Sequence, residues 1–150
     1  MRVVLQRVRE ASVRVDDQVV GQIGHGWLVL FGVHKGDSIE GVEWLVEKCV
    51  NLRAFADVAG KMNLSVVDVE GKMLVVSQFT LAGDCRKGRR PGFDQAAAPQ
   101  DANGLYEAFC ERIAACGVPV ERGVFQADMQ VSLINDGPVT FVIDYPPSAR

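Results

Sequence analysis

The stretch Ala11-Ser12-Val13-Arg14-Val15-Asp16-Asp17-Gln18-Val19-Val20-Gly21-Gln22-Ile23-Gly24-His25-Gly26-Trp27-Leu28-Val29-Leu30-Phe31-Gly32-Val33 decides the fold class. Ala11, Val13 and Val15 alternate with Ser12, Arg14 and Asp16, the period of a strand with one buried face. Asp16-Asp17-Gln18 reads as a turn, and Val19 to Ile23 as the returning strand of a hairpin. Gly24-His25-Gly26 then turns the chain into Trp27 to Val33, apolar at every side-chain-bearing position. A strand apolar on both faces is covered on both faces, so this one belongs at the centre of a sheet.

Downstream, Asp37-Ser38-Ile39-Glu40 has the form of a helix start, with Asp37 as the cap and Glu40 reaching back. Ile39, Val42, Val46, Cys49 and Val50 share one face of an amphipathic helix of about four turns. Arg53 to Ala56, Met62 to Val67 and the strongly apolar Met73 to Phe79 are extended, with turns at Asp57–Lys61 and Glu70–Lys72. A second helix starts within 99–104, buries Leu105, Phe109, Ile113 and Cys116, and stops at Gly117 and Pro119. Phe125, Ala127, Met129, Val131 and Leu133 alternate with polar residues. Asn135-Asp136-Gly137 is a tight turn, and Val139 to Tyr145 is the last strand. The expectation is an α/β domain: a mixed, largely antiparallel sheet curled toward a barrel, with two main amphipathic helices packed on it.

The 150 residues suit one domain spanning 1–150, with 146–150 as a flexible tail. The 16 Lys+Arg against 19 Asp+Glu leave a net charge of −3, which argues against a uniformly basic nucleic-acid coat but permits a local basic patch. Charges at Arg2 and Arg7 interrupt any signal-peptide core, and Trp27 to Val33 is too short for a membrane span. The expected compartment is the cytoplasm. Cys49, Cys85, Cys110 and Cys116 form no C-x-x-C pair and lie far in sequence from His25 and His34, so neither a metal site nor a cofactor is expected. There is no G-x-S-x-G elbow and no G-x-x-x-x-G-K-[ST] loop.

Three segments carry candidate chemistry. Ser77-Gln78-Phe79-Thr80-Leu81 brings hydroxyls and backbone N–H groups to the end of an apolar strand, where they can orient water or receive a developing oxyanion. Ser and Thr are also common at strand ends with no such role. Asn135-Asp136-Gly137-Pro138-Val139-Thr140 reads locally as a chain reversal, and only about 5–6% of X–Pro bonds are cis, so the residues alone assign no isomer. Arg86-Lys87-Gly88-Arg89-Arg90 places four cations in five residues inside the long irregular stretch 82–100. Such a cluster is either solvated loop charge or a phosphate contact.

Taken together, Leu5-Gln6-Arg7-Val8, Ala11-Ser12-Val13, Gly60-Lys61-Met62-Asn63-Leu64, Ala127-Asp128-Met129-Gln130-Val131 and the Ser77–Leu81 and Asn135–Thr140 signatures resemble the D-aminoacyl-tRNA deacylases from end to end. The resemblance implies hydrolysis of the ester joining a D-amino acid to the 3′ end of tRNA. It also implies a homodimer with active sites at the interface, and a cis Gly137–Pro138 bond reaching into the partner's pocket. Ser77, Gln78, Phe79 and Thr80 would then be the catalytic segment, Arg7 and Met129 would support the pocket, and Arg86, Lys87, Arg89 and Arg90 would meet tRNA. The competing expectations are a nucleic-acid binding module without hydrolysis and a small-molecule esterase.

Overall fold

The first strand hydrogen-bonds on both of its edges, and the sheet is built around it. The structure is a computed structural model that describes residues 1–147. Strand β1 (Arg2–Val15) pairs antiparallel with β3 (Gly26–Gly32) through residues 2–8 and with β2 (Gln18–Ile23) through residues 11–15. Along its other edge it pairs antiparallel with β8 (Gln130–Asp144), from Arg2↔Asp144 to Arg14↔Gln130. The β1–β2 hairpin turns on Asp16 and Asp17, both at positive φ, the conformation that matches the twist of a two-residue hairpin.

Helices α1 (Ile39–Asn51) and α2 (Pro99–Ala115) are the long connections that parallel pairing requires. A small hairpin, β4 (Phe55–Ala56) with β5 (Met62–Leu64), follows α1. Strand β6 (Lys72–Ser77) pairs parallel with β3, and β7 (Val120–Arg122) pairs parallel with β6. The sheet order is β2-β1-β3-β6-β7 with β8 on β1. It curls until Gly21 of β2 meets β7, where an added Cβ would stand 2.6 Å from the Arg122 carbonyl oxygen. The mixed, nearly closed barrel-like sheet with two helices is the architecture expected from the sequence.

Two breaks in the β1–β8 register organise the core and the site. Between Val8↔Asn135 and Glu10↔Ile134, β1 advances two residues and β8 one, so β1 bulges at Arg9. The bulge reverses the strand's faces. Val3 and Leu5 pack with Trp27, Val29, Phe31, Met73 and Val75 beneath the helices, whereas Ala11 and Val13 join Val8, Leu28, Leu74 and Val76 in a second cluster on the opposite face. Between Gln6↔Thr140 and Val8↔Asn135, β1 advances two residues and β8 five, so Asp136–Val139 arch out of the ladder.

Several local expectations are corrected. Asn135-Asp136-Gly137 does not end a strand. β8 runs through it, because pairing with β1 resumes on both sides of the arch. Asp37 does not cap α1; its carboxylate takes the Met1 ammonium at 2.8 Å and the His34 N–H at 2.6 Å, while Ser38 occupies the cap position. The buried face of α2 is Tyr106, Phe109, Cys110 and Ile113, with Cys116 exposed beyond the helix end. Strand β6 stops at Ser77, and Phe79 opens a 3-10 turn, Phe79–Ala82. Phe125 packs on the helix-side core, apart from Met129, Val131 and Leu133 in the second cluster. Residues 148–150 of the expected tail lie outside the described residues.

At the far end of the β1–β8 ladder, hydrogen bonding from Arg2 (2.6 and 3.0 Å) holds the Asp144 carboxyl below its usual range. The pair therefore contributes stability above the ordinary carboxylate pKa of about 3.9 and loses it as pH falls through the depressed value. Phe109 stacks on Phe31 with centroids 4.4 Å apart, and the buried Tyr106 hydroxyl donates to the Val75 carbonyl at 2.9 Å. Phe109→Ala should cost about 4 kcal/mol through the cavity it leaves. Tyr106→Phe, which removes one hydrogen bond, should cost about 1 kcal/mol. Urea unfolding midpoints measure both.

Candidate functional site

Strand β6 keeps its place beside β3 up to Phe31↔Ser77, and the Gln78 N–H donates to the Phe31 carbonyl at 2.8 Å as the last bond of that run. β3 runs one residue further, to Gly32, and the chain tightens against it into the Phe79–Ala82 turn, where a Cβ on Gly32 would stand 2.8 Å from Leu81 Cβ. The Leu81 N–H donates to Gln78 and the Gly83 N–H to Thr80. The N–H groups of Phe79 and Thr80 have no backbone acceptor among the described residues. Gln78 Nε2 donates to Thr80 Oγ1. With that lone pair engaged, the Thr80 hydroxyl is better set to donate its proton than to accept one.

Ser77, Gln78 and Phe79 form one wall of a cleft of about 520 Å³. Ala96 and Ala97 just before α2 and Pro99 at its start line it as well, as do Phe125, Gln126, Ala127 and Met129 from the loop before β8. Met129 is fixed by the Val124 N–H, 3.3 Å from its Sδ. Phe79 is 58% exposed at the rim and meets the edge of Phe93, centroids 5.0 Å apart. Thr80 lies just outside this lining, exposed on the turn. The expected catalytic segment and Met129 are thus brought together.

Gly137, Pro138 and Arg7 are not part of this cleft's lining. Gly137 and Pro138 are exposed at the crest of the β8 arch, and the peptide bond between them is cis, as the resemblance implies. Arg7 lies opposite the arch and is nearly buried. Its guanidinium donates to the Asp136 carbonyl at 3.2 Å and to the Ala54 carbonyl at 2.6 Å, and pairs with the Asp136 carboxylate at 3.6 Å. Gly137 has φ +126, and a Cβ there would lie 3.0 Å from Arg7 Nη2, so both conformation and space demand glycine. The Asn135 amide, oriented by its neighbours, donates to the Arg7 and Val139 carbonyls at 2.9 and 3.2 Å and accepts from Thr140.

The basic cluster sits on a hairpin closed by Asp84 and Gly92, whose backbones exchange bonds of 2.8 and 2.9 Å. Arg86 is not equivalent to its neighbours. Its side chain grips both Asp84 carboxylate oxygens at 2.8 and 2.7 Å and, with its own N–H, holds that carboxyl far below the usual range. Lys87, Arg89 and Arg90 are exposed and form no ion pair among the described residues. Sequence reasoning missed Asp136, Asp84 and Phe93. Asp136 stood inside a quoted signature, whereas Asp84 and Phe93 carried no signal beyond their place in the long loop. Among the described residues no cluster of His, Cys, Asp or Glu is placed to hold a metal ion, and no helix is long and apolar enough to cross a membrane.

Fold and cleft define the class first. A solved structure described as a probable eukaryotic D-amino acid tRNA deacylase has the same fold, with TM-score 0.82 at 22% identity over 95% of this chain and 97% of that one. A second, described as the c-Myc DNA unwinding element binding protein, matches at TM-score 0.92 and 40% identity over 97% and 99%. The molecule shares the α/β fold of these structures. The family description D-Tyr-tRNA(Tyr) deacylase matches residues 4–144, and the chain belongs to that family. Relatives named D-aminoacyl-tRNA deacylase include one from Geobacter sp. (strain M21), 60% identical over 98% of this chain and 99% of its own. Another, from Geotalea daltonii, is 61% identical over 97% of each.

Arg7→Met keeps the stem and removes every bond to Ala54 and Asp136. The two carbonyls would lose a charged donor, at a cost of about 3 kcal/mol, visible as a lower thermal midpoint.

Proposed function

We propose that the protein hydrolyses the ester of D-aminoacyl-tRNA and so removes D-amino acids from tRNA before translation uses them. Family membership and the relatives' names support the activity. The observation that carries the mechanism is the Phe79–Ala82 turn beside an apolar cleft, with two unengaged backbone N–H groups and a Thr80 hydroxyl held by Gln78.

An aminoacyl ester is already activated. The protein has to hold it, admit a water and stabilise the oxyanion. The Phe79 and Thr80 N–H groups receive the developing oxyanion, and the Thr80 hydroxyl donates to it or to the attacking water. Ser77, Gln78 and Met129 shape the wall. The attacking water's proton passes through the terminal ribose 2′-hydroxyl of the tRNA to the departing 3′-oxygen, or to solvent, because Thr80 has no adjacent base to activate it as a nucleophile.

Selection by handedness needs fixed groups, since mirror-image substrates carry the same chemistry. Gly137 and Pro138 stand outside the cleft of their own chain, on an arch clamped by Arg7 through Asp136. In this reading two copies associate, each arch enters the other's cleft, and the carbonyls of Gly137 and Pro138 bind the α-amino group while the arch blocks an L side chain. Exposed Ile134 and Val142 on the same strand (50% and 60%) supply apolar surface for such a contact. Glycine presents no side chain to exclude, so glycyl-tRNA is also a substrate. The compartment implied is the cytoplasm, and no cofactor is invoked.

The basic hairpin grips tRNA phosphates without reading sequence. The test of the whole reading is amino acid release from matched D- and L-aminoacyl-tRNA, with D cleaved and L spared. Release from neither would favour the second reading, nucleic-acid binding without hydrolysis, to which the name of the 40% identical structure points. Release from short esters regardless of tRNA would favour an esterase.

Two outcomes follow for variants. Thr80→Ala should lower kcat about tenfold and keep hydrolysis measurable; a loss of about four orders of magnitude with folding intact would make Thr80 the nucleophile. Replacing Arg86, Lys87, Arg89 and Arg90 together by serine should raise KM and flatten its salt dependence, nearly all of it from Lys87, Arg89 and Arg90 because Arg86 is engaged by Asp84.

A further inference from the structure

The basic hairpin and the Phe79 turn touch at two places. The first is the chain itself: the Gly83 N–H closes the turn on the Thr80 carbonyl at 3.0 Å, and the next residue, Asp84, begins the hairpin neck. The second is Phe93, the residue that follows Gly92 at the other side of that neck. Its ring meets Phe79 edge-on, with an interplanar angle of 60°, and lies over Gly83, where a Cβ would come within 3.2 Å of its Cε1.

The neck cannot flex freely. Asp84 and Gly92 exchange both backbone bonds, and the Asp84 carboxylate takes the backbone N–H and the fork of Arg86. Beyond Phe93 the chain is pinned to the end of β3, with the Lys35 N–H on Gln95 and the Ala97 N–H on Val33. The hairpin is therefore a short stiff lever. One leg is anchored on the scaffold, the other leg is continuous with the turn, and Phe93 bears on the ring at the rim of the cleft.

We propose that Phe93 is a positioning residue that couples the two sites: phosphates held at Lys87, Arg89 and Arg90 move the hairpin neck, and the Phe93 edge contact passes that displacement to Phe79 and the N–H groups of its turn. The inference rests on the functional reading above. It adds that contact with the tRNA body raises the rate of hydrolysis as well as the affinity.

A double-mutant cycle tests it, with D-aminoacyl-tRNA as substrate and kcat and KM measured separately. The charge variant Lys87→Ser/Arg89→Ser/Arg90→Ser should raise KM and also lower kcat about tenfold, the size an aromatic edge contact can transmit. In a Phe93→Leu background, which keeps apolar bulk but has no ring edge, the same charge changes should alter kcat less than about twofold while KM still rises. Phe93→Tyr, which keeps the ring, should restore the full kcat response. A charge variant that changes KM alone, or kcat losses that multiply independently in the Leu background, overturns the coupling and leaves the functional reading standing. A parent protein that releases no amino acid overturns the functional reading, and this inference with it.

Discussion

A single strand with three partners is the constraint on which the rest of the molecule depends. β1 gives one edge to β3 and then β2, and the whole of the other to β8. Such a strand would be buried on one face only if its register never broke. The Arg9 bulge turns its faces over halfway, so Val3 and Leu5 serve the core under the helices and Ala11 and Val13 serve the core within the curl. The second mismatch in the same ladder lifts Asp136–Val139 out of the sheet. Core layout and display of the Gly137–Pro138 arch are consequences of the same pairing.

Arg7 belongs to this logic. It stands opposite the arch, in the gap between two paired positions, and its guanidinium fills the space the arch vacates. A planar fork with several donors can satisfy carbonyls on two unrelated segments at once. Lysine, a single charged point, cannot. The cleft is built differently. It opens where β6 leaves β3 after Ser77, and its walls are the small alanine side chains just before and within α2, with aromatic rings at the margins.

Much of this was legible in the sequence because it rests on periodicity. The β1–β2 hairpin, the two-sided β3 and β6, and the C-terminal stop of α2 at Gly117 follow from local patterns that nothing distant overrides. Two of the misreadings are places where a distant group wins, and a third is local. Asp37 reads as a cap until the Met1 ammonium arrives from the far end of β1. Gly137-Pro138 reads as a turn until β1 pairs with both flanks. Arg86 reads as a free cation until Asp84, two residues before it, closes on it. The site segments were legible only as a joint signature, since a Ser–Thr strand end or a Gly-Pro pair alone specifies no chemistry. How Phe93, Asp84 and Asp136 support them is tertiary, and no spacing announces it.

The β1–β8 ladder joins residues near opposite ends of the chain, Arg2 to Asp144. During synthesis β1 emerges well before β8, so one edge of β1 stays without hydrogen-bond partners until residues 130–144 have left the ribosome. Contacts of such long sequence separation close late and slowly. An unpaired edge in a half-made chain is also open to pairing with other nascent chains. The helices and the β3–β6 pair can assemble beforehand, but both the second core and the Gly137–Pro138 arch wait for β8. The Gly137–Pro138 arch thus takes shape only after β8 has been made.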